Sequence, residues 1–597
     1  MMMVSSKTFS SLQFFTLFYL FTVAFASTEE AIALLKWKAT FKNHNNSLLA
    51  SWTPSSDACE DWYGVVCFNG RVNTLNITNS SVSATLYAFP YSSLPFLENL
   101  NLSMNNFSGT IPPEIGNLTN LVYLDLNINQ ISGTIPPQIG SLAKLQILRI
   151  FDNHLNGSIP EEIGYLRSLT KLSLGMNFLT GSIPASLANL NNLSFLFLYE
   201  NQLSGSIPEE IGYLRSLCIL HLSNNSLNGS IPSSLGNLSN LFGLYLYNNQ
   251  LSGSIPQEIG HLRSLTNLYL GNNSLNGSIP SSLGNLSNLF GLYLYNNQLS
   301  GSIPQEIGHL RSLTNLYLGN NSLNGSIPSS LGNLSNLFGL YLYNNQLSGS
   351  IPQEIGHLRS LTNLYLGNNS LNGSIPAPLG NLSNLSALLL YNNQLSGSIP
   401  EEIGYLSSLN YLYLGNNSLN GSIPASFGNL RNLKTMILND NNLIEEIPSS
   451  ICNLTSLEMF YMPRNNLKGK VPQCLGNISG LRVLVMSHNN LSGEMPPSIS
   501  NLTSLQILDL GRNNLEGVIP QCFGNISSLQ AFDMQNNKLS GTLPTNFSIG
   551  SSLISLNLHG NELEGRIPRS LSNCKSCKFL IWEIITSMTH FPCGWEL

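Results

Sequence analysis

The stretch LCILHLSNNSLNGSIPSSLGNL, residues 217–238, decides the fold, because its spacing of leucine, asparagine, glycine and proline returns throughout the chain. The underlying pattern is L-x-x-L-x-L-x-x-N-x-L-x-G-x-I-P-x-x-L-G-x-L-x-x, which is 24 residues long. Its asparagine recurs with that period from Asn105 to Asn561, and its glycine fails once, where Glu445 replaces it. No insertion or deletion interrupts residues 97–576. The chain is therefore built from one repeated unit.

Each position of the pattern has a physical role. The alternating leucines of x-x-L-x-L point inward from a short parallel strand, while their neighbours face solvent. The asparagine of each coil can satisfy backbone groups of adjacent coils, which predicts an internal hydrogen-bonded ladder. One coil cannot bury its own leucines, so adjacent coils must stack. The pattern predicts an α/β repeat fold, a right-handed curved solenoid with parallel strands on its concave face.

The composition excludes several classes of protein. The 597-residue chain is 42% hydrophobic and only 9% charged, whereas about a quarter of a typical soluble domain is charged. The apolar content excludes a disordered chain. The net charge of −6 without a basic cluster excludes nucleic acid as a partner.

The N-terminus predicts secretion. A short apolar stretch, residues 14–25, is followed by Ala26, so we interpret residues 1–26 as a cleaved signal peptide and expect the mature chain to be secreted. In that oxidising compartment Cys59 and Cys67 should form a disulfide. N-glycosylation is predicted at acceptor sites that include Asn76, Asn117, Asn237, Asn285, Asn333, Asn381, Asn453, Asn477, Asn501 and Asn525.

Several segments resemble a known family. The Leu-x-Gly-x-Ile-Pro signature and the Cys59/Cys67 region resemble plant extracellular leucine-rich-repeat proteins. More closely, LKWKAT at residues 35–40, DWYGVVC at 61–67 and YMPRNN at 461–466 resemble the tomato Cladosporium-resistance receptor-like proteins. The resemblance implies a defence receptor with an extracellular repeat array, one transmembrane helix and a short cytoplasmic tail. Such a receptor recognises pathogen products and signals through partner receptor kinases.

The resemblance also sets the expected boundaries. A helical N-terminal cap is expected at residues 27–72 and a degenerate first repeat at 73–96. Twenty 24-residue repeats are expected over 97–576, and an aberrant tail over 577–597.

The tail departs from the repeat. Plausible codons for a normal coil, read one base earlier, reproduce Ser576 to Ile585, so we interpret the tail as out of frame and the protein as a truncated allele lacking the membrane helix. A divergent C-terminal cap is the alternative. Leu580 and Trp582 keep the inward phase, which predicts one further strand, whereas residues after about 585 are expected to be poorly ordered.

An aromatic stripe follows the outward positions of the predicted strands and suits an adaptable binding face. Residues 224–271, 272–319 and 320–367 are identical, so copying is the alternative explanation of the stripe. The candidate ligand-binding residues are Phe197, Tyr199, Tyr245, Tyr247, Tyr269, Tyr293, Tyr295, Tyr317, Tyr341, Tyr343, Tyr365, Tyr391, Tyr413 and Tyr461.

Charged side chains in less duplicated coils are a second set of candidates. Lys434, Asp440, Glu458 and Arg464 fall on the same predicted face, and such charges can orient a protein or peptide partner. Plain solvation of these charges is the alternative. Asp125, Arg149, Phe151 and Asp152 sit similarly near the N-terminus.

The remaining features are interpreted as structural. A disulfide between Cys452 and Cys474 is possible, whereas Cys474 and Cys522 lie two coils apart, too far to pair. Glu445 would cost about 1 kcal/mol if its site needs a positive φ. No catalytic arrangement, metal site or cofactor site is predicted.

The sequence thus predicts the ectodomain portion of a plant disease-resistance receptor-like protein, which binds a protein or peptide without catalysing a reaction. As a truncated product it should not signal alone. The alternatives are a soluble decoy for the same ligand and a secreted inhibitor of a microbial wall-degrading enzyme.

Overall fold

The computed structural model describes residues 28–43, 47–548, 551–573 and 579–581, with the backbone alone for 572–573 and 579–581. The predicted signal peptide, Cys574 and most of the predicted tail lie outside these ranges. The chain divides into two compact units, Met1–Leu289 and Phe290–Leu597, and each is described by itself.

A parallel sheet runs through each unit, one strand per coil, because the x-x-L-x-L segment recurs in register every 24 residues. The first pair of the first unit is antiparallel. The strands of the first unit are Val65–Phe68, Arg71–Asn76, Asn99–Asn101, Tyr123–Asp125, Ile147–Arg149, Lys171–Ser173, Phe195–Phe197, Ile219–His221, Gly243–Tyr245 and Asn267–Tyr269. The strands of the second unit are Gly291–Tyr293, Asn315–Tyr317, Gly339–Tyr341, Asn363–Tyr365, Ala387–Leu389, Tyr411–Tyr413, Thr435–Ile437, Met459–Tyr461, Val483–Val485, Ile507–Asp509, Ala531–Asp533, Ser555–Asn557 and Phe579–Ile581.

Short second strands follow the asparagine of each coil. In the first unit they are Ser83–Thr85, Asn106–Gly109, Gln130–Gly133, His154–Ser158, Phe178–Thr180, Ser204–Ser206, Ser226–Asn228, Ser252–Ser254 and Ser274–Asn276. In the second unit they are Ser300–Ser302, Ser322–Asn324, Ser348–Ser350, Ser370–Asn372, Ser396–Ser398, Ser418–Gly421, Asn442–Leu443, Lys468–Gly469, Asn490–Glu494, Asn514–Val518, Lys538–Gly541 and Glu562–Leu563.

The return side of the coils is made of short 3-10 helices, and the proline of the pattern stands just before the repeat helices. In the coil of residues 217–240, Pro232 has φ −62° and precedes Ser233–Asn237, whose Leu235 is buried. The fixed φ of proline suits this entry, and its missing N–H leaves no donor unpaired. The 3-10 helices of the first unit are Leu48–Ser51, Tyr91–Ser93, Pro113–Asn117, Pro137–Ser141, Glu161–Tyr165, Ala185–Asn189, Glu209–Tyr213, Ser233–Asn237, Gln257–His261 and Ser281–Asn285. Those of the second unit are Gln305–His309, Ser329–Asn333, Gln353–His357, Ala377–Asn381, Glu401–Tyr405, Ala425–Asn429, Ser449–Asn453, Gln473–Asn477, Pro497–Asn501, Gln521–Asn525 and Arg569–Asn573.

The predicted internal asparagine ladder is confirmed. The Oδ1 atom of Asn129 accepts the backbone N–H of Phe107 at 2.9 Å, and its Nδ2 atom donates to the carbonyl oxygens of Leu102, Leu126 and Asn127, each at 3.1 Å. One buried amide therefore satisfies backbone groups of its own coil and of the preceding coil. The same contacts recur in coil after coil of both units.

The glycine of the pattern occupies a left-handed turn. Gly421, for example, has φ +73°, and the substituted Glu445 has φ +66°. The site of Glu445 therefore does need a positive φ. A residue with a Cβ atom is sterically disfavoured in this region. The carboxylate of Glu445 lies 3.0 Å from the ammonium of Lys468.

The N-terminal cap carries a helix at residues 28–38 and an aromatic core. The ring of Trp37 packs against Phe89 at 4.9 Å, and Trp52 stacks on Trp62 at 5.2 Å. The buried carboxylate of Glu30 accepts the backbone N–H of Val72 at 2.8 Å, which ties the helix to the first strands. Burial raises the pKa of Glu30.

Two disulfides cross-link residues of the described chain. The predicted pair Cys59–Cys67 is confirmed, with its Cα atoms 5.3 Å apart. The pairing of Cys452 with Cys474, left open by the sequence, is present with Cα atoms 5.6 Å apart. Cys522 remains a free thiol.

The one further strand predicted from the inward phase of the tail is also confirmed. Phe579–Ile581 pairs in parallel with Ser555–Asn557. Among the described residues, no helix combines the length and apolar character needed to cross a bilayer.

Candidate functional site

The candidate site lies on the outward face of the main strands, which we call the strand face. Residues alternate along each strand, so Leu244 and Leu246 are buried whereas Tyr245 and Tyr247 are half-exposed. The candidate tyrosines and Phe197 all occupy such half-exposed positions. Whether they contact a ligand stays a prediction.

In the first unit the strand face carries a continuous row of aromatic rings. Register places Phe197, His221, Tyr245 and Tyr269 side by side on neighbouring strands. The imidazole of His221 stacks on the ring of Tyr199 with centroids 4.4 Å apart and lies 4.9 Å from the ring of Tyr245. The contacts of these rings join them into one aromatic surface on the strand face of the first unit.

His221 is a member of the row that the sequence analysis missed. Its Nε2 atom lies 2.7 Å from the hydroxyl of buried Ser223. Burial among the rings lowers the pKa of His221 to about 4, so the imidazole is neutral at ordinary pH. The same burial raises the pKa values of Tyr199 and Tyr245.

A charged cluster continues the row toward the N-terminal strands. The guanidinium of Arg149 lies 3.1 Å from the carboxylate of Asp125, which also accepts the hydroxyl of Tyr123 at 2.8 Å. Asp125 is buried, and within the described chain the Nε atom of Arg149 is buried without a hydrogen-bond partner. Arg149 therefore holds one anion and keeps donor capacity.

Lys171 lies between this cluster and the aromatic row. Its ammonium stands 5.7 Å from the ring centroid of Phe195 and 5.5 Å from that of Phe197. Burial, and then the nearby charge of Arg149, lower its pKa. Among the described residues no carboxylate pairs with Lys171.

In the second unit the tyrosines form two different arrangements. Tyr317 stacks on Tyr293 at 4.6 Å and on Tyr341 at 4.0 Å, with nearly parallel rings. Burial raises the pKa of Tyr341. The ring of Tyr343 instead covers the glycine of the preceding coil, Gly319.

The charged candidates of the second unit are brought together only in part. The guanidinium of Arg464 lies 3.3 Å from the carboxylate of Asp440, so these two charges pair with each other. The carboxylate of Glu458 lies 4.0 Å from the guanidinium of Arg482. Lys434 is exposed and Tyr461 is half-exposed. The pairing reduces the charge available to a ligand.

The residues missed by the sequence analysis share one signal. His221 stands one 24-residue repeat before Tyr245, at the same position of its strand. Lys171 and Phe195 stand in earlier coils at the strand position that Gly243 occupies in its own coil. A comparison of the same strand position in every coil, regardless of residue type, identifies His221, Lys171 and Phe195.

The predicted glycosylation sites are accessible. The side chains of all ten named asparagines, from Asn76 to Asn525, are exposed. Occupancy by glycans stays a prediction.

Within the described ranges, no group of three or more His, Cys, Asp or Glu side chains is placed to hold a metal ion. The strand faces carry aromatic rings, hydroxyls and charged side chains. Groups of these kinds are able to bind a ligand non-covalently.

Family models match most of the chain. The model described as leucine-rich repeat N-terminal domain matches residues 27–68, and the leucine-rich repeat region matches 175–299 and 277–399. Two further leucine-rich-repeat models cover other coils, among them residues 431–491 and 479–539.

A curated relative from Arabidopsis thaliana is "MDIS1-interacting receptor like kinase 2". It is 50% identical over 99 residues, which are 16% of this chain and 10% of the relative. The chain thus matches only about a tenth of this kinase's length.

Solved structures match far more of the chain. One is the "plant peptide hormone receptor RGFR1 in complex with RGF2", 38% identical with a TM-score of 0.80, covering 86% of this chain and 90% of that one. Another is the Arabidopsis receptor kinase HAESA in complex with the peptide hormone IDA and the co-receptor SERK1, 34% identical with a TM-score of 0.80. The match covers 92% of this chain and 93% of the HAESA chain. Because the identity extends over nearly the whole of both solved chains, this protein belongs to the family of plant leucine-rich-repeat receptor ectodomains.

Proposed function

We propose that the chain is the extracellular ligand-recognition region of a plant disease-resistance receptor-like protein. It captures a pathogen-derived or endogenous peptide or protein on the strand face of the first unit. The observation that carries the proposal is the ammonium of Lys171, which lies over the rings of Phe195 and Phe197 without a carboxylate partner among the described residues.

A partly desolvated cation beside aromatic rings favours an acidic group of a ligand. Asp125 attracts Lys171 only at longer range, so a ligand carboxylate would supply the close charge pairing that Lys171 lacks. The guanidinium of Arg149 adds a second positive charge on the neighbouring strand. The row from Phe197 to Tyr247 would then hold apolar or aromatic ligand side chains, since aromatic rings supply contact area at low entropy cost.

The solved relatives support a peptide ligand and a co-receptor. RGFR1 and HAESA were each solved with a peptide hormone, and HAESA also with a co-receptor. The resemblance to the Cladosporium-resistance proteins supports a ligand of pathogen origin and an apoplastic location.

A capture experiment tests the proposal. The secreted chain would be immobilised and exposed to apoplastic peptide fractions from infected and uninfected leaves, and bound peptides would be identified by mass spectrometry. We expect selective retention of acidic peptides, and loss of that retention in the Lys171→Met and Phe197→Ala variants.

Tyr213→Ala is the matched control, because Tyr213 is an exposed aromatic residue of a 3-10 helix away from the strand face. Equal capture by wild-type protein and by Lys171→Met would reject the site. The defence role is tested separately, by expressing the chain beside a full-length homologue in leaves and scoring cell death with pathogen extract. Inhibition of a microbial wall-degrading enzyme in an activity assay would favour the inhibitor alternative.

A further inference from the structure

Two tyrosines of the second unit lie flat on the strand face. A Cβ atom placed on Gly319 would lie 2.7, 2.8 and 3.0 Å from Cε1, Cζ and Cδ1 of Tyr343. The same position on Gly367 would lie 2.6, 2.7 and 2.8 Å from the corresponding atoms of Tyr391. Three consecutive ring carbons at nearly equal distance mean that the glycine lies beneath the face of the ring. Both side chains are half-exposed, and the ring of Tyr413 lies 6.4 Å from that of Tyr391 at an angle of 59°.

Hydrogen-bonding groups flank these flat rings on both sides. On one side Tyr317 and Tyr341 stack face to face, and their hydroxyls hydrogen-bond each other. On the other side Asn368 donates to Asn344 at 2.5 Å, and Asn392 donates to Asn368 at 2.5 Å, in an exposed row of amides. Each amide has a second N–H, and among the described residues that of Asn368 has no hydrogen-bond acceptor.

The surface repeats with a period of two coils. Gly339–Tyr341 pairs with Asn363–Tyr365, which pairs with Ala387–Leu389, so Tyr343 and Tyr391 follow strands that are two steps apart. Two strand spacings correspond to about 9–10 Å. A ligand that itself repeats at this length would meet the same contacts again, whereas a peptide of mixed sequence would not.

The flat tyrosine persists where the internal copy has diverged. Residues 368–415 differ from 320–367 at several positions, and Leu389 replaces the stacked tyrosine there. Tyr391 is nevertheless retained, so the flat ring survives a change in the neighbouring column, and it lies on Gly367 of the unchanged copy.

This part of the strand face is also uncharged. From Gly291–Tyr293 to Tyr411–Tyr413, the outward positions are Gly, Ala, Asn, Tyr and Leu. A neutral ligand fits this surface better than a polyanion or a charged peptide, because no opposite charge is present to offset desolvation.

We propose that the strand face of the second unit, between Gly339–Tyr341 and Ala387–Leu389, binds one extended chain of a neutral, β-linked polysaccharide. Its sugar rings stack their C–H faces on Tyr343 and Tyr391, on the side of each ring opposite its glycine. The negative face of the aromatic ring attracts the polarised C–H hydrogens of the sugar. The equatorial hydroxyls at the edges of the sugars bond the amide row and the tyrosine hydroxyls. This binding goes beyond peptide capture by the first unit and does not depend on it.

Titration calorimetry of the secreted full chain tests the inference with four hexasaccharides as probes: β-1,4-glucan, β-1,3-glucan, β-1,4-xylan and β-1,4-mannan. We expect saturable binding of at least one of them, and binding at least about tenfold weaker for the matching disaccharide, which cannot reach both rings. Polygalacturonate of similar length should not bind.

Variants assign the binding to the flat rings. Tyr343→Ala with Tyr391→Ala should lose the binding, Tyr343→Phe with Tyr391→Phe should retain most of it, and Tyr405→Ala should leave it unchanged. Tyr405 is an exposed tyrosine at the end of a 3-10 helix in the same unit. Circular dichroism would confirm that each variant is folded.

Absence of binding to all four hexasaccharides would overturn the inference, as would equal binding by wild-type protein and the double alanine variant. Preferential binding of polygalacturonate would overturn the inference that the polysaccharide is neutral. Loss of peptide capture in the Lys171→Met variant with unchanged saccharide binding would separate this site from the one proposed in the first unit.

Discussion

The imidazole of His221 stacks on the phenol ring of Tyr199 with an interplanar angle of 19° and a centroid separation of 4.4 Å. The two side chains come from neighbouring coils, and between them they connect the rings of Phe197, Tyr245 and Tyr247 into one surface. A histidine enclosed in this way resists protonation.

The His221 pKa predicts a pH dependence of stability. Burial lowers the pKa of His221 to about 4 in the folded chain, against the ordinary histidine value of 6.5. The unfolded state therefore binds more protons between these two values, so stability present above pH 6.5 is lost as the pH falls toward 4. We expect an NMR titration of His221 with a midpoint near 4. Relative to His221→Gln, the wild-type unfolding free energy should fall on acidification.

His309, which ends a 3-10 helix of the second unit and is exposed, provides the control for that titration. A His221 midpoint at or above the ordinary histidine value of 6.5 would show that the ring is solvated and the stack open.

Replacement of Glu445 by glycine is expected to stabilise the chain. Glu445 has φ +66°, and a side chain in the left-handed region costs about 1 kcal/mol relative to glycine. The ion pair with Lys468 is about half-exposed, so its loss offsets only part of that gain. Urea unfolding should show an increase of about 0.5–1 kcal/mol. Gly421→Ala, at φ +73° in the preceding coil, should lose about 1 kcal/mol. Lower stability of Glu445→Gly would mean that the ion pair dominates.

The internal ladder should be far more sensitive to mutation than the exposed amide row. Asn345 accepts the N–H of Leu323 and donates to the carbonyl oxygens of Leu318, Leu342 and Tyr343. Asn345→Ala removes the acceptor of the Leu323 N–H, which costs about 1–3 kcal/mol for a buried donor. The three carbonyl oxygens keep donors in Asn321, Asn369 and Asn320. Native-state hydrogen exchange should show local opening of the adjoining coils.

The neighbouring Asn344 is the matched control, because its side chain is exposed and its φ is +52°. Asn344→Gly suits that backbone and should change the unfolding free energy by about 0.5 kcal/mol or less. Similar effects of the two substitutions would contradict the distinct role of the internal ladder.

The disulfide between Cys452 and Cys474 should stabilise the second unit. It closes a segment with a sequence separation of 22 residues, for which chain entropy predicts about 3 kcal/mol. The double variant Cys452→Ser, Cys474→Ser should lose about 3 kcal/mol of unfolding free energy in urea. Reductant should then cause no further loss of stability attributable to this disulfide. Cys522→Ser removes a free thiol of the same unit and should be neutral. Peptide mapping that found Cys474 paired with any other cysteine would falsify the assignment.

The outward phase of the tyrosines follows from the repeat, but their two modes of packing do not. Tyr341 and Tyr343 are separated by one residue, yet Tyr341 stacks on another tyrosine whereas Tyr343 lies on Gly319. The difference depends on which side chain the adjacent coil offers, and on ring rotamers that a periodic pattern does not specify. Asp440 and Arg464 illustrate the same point, since only their positions in adjacent coils bring the charges within 3.3 Å.

The sequence by itself determined the coil, its inward leucines and the internal asparagine ladder. Each of these depends on interactions that recur every 24 residues, and a strict period states them directly. Only the tertiary structure decided the enclosure of His221, the isolated charge of Lys171 and the pairing of Cys452 with Cys474. Those features arise where one coil differs from the next, so their energies depend on the specific neighbours that stacking brings into contact.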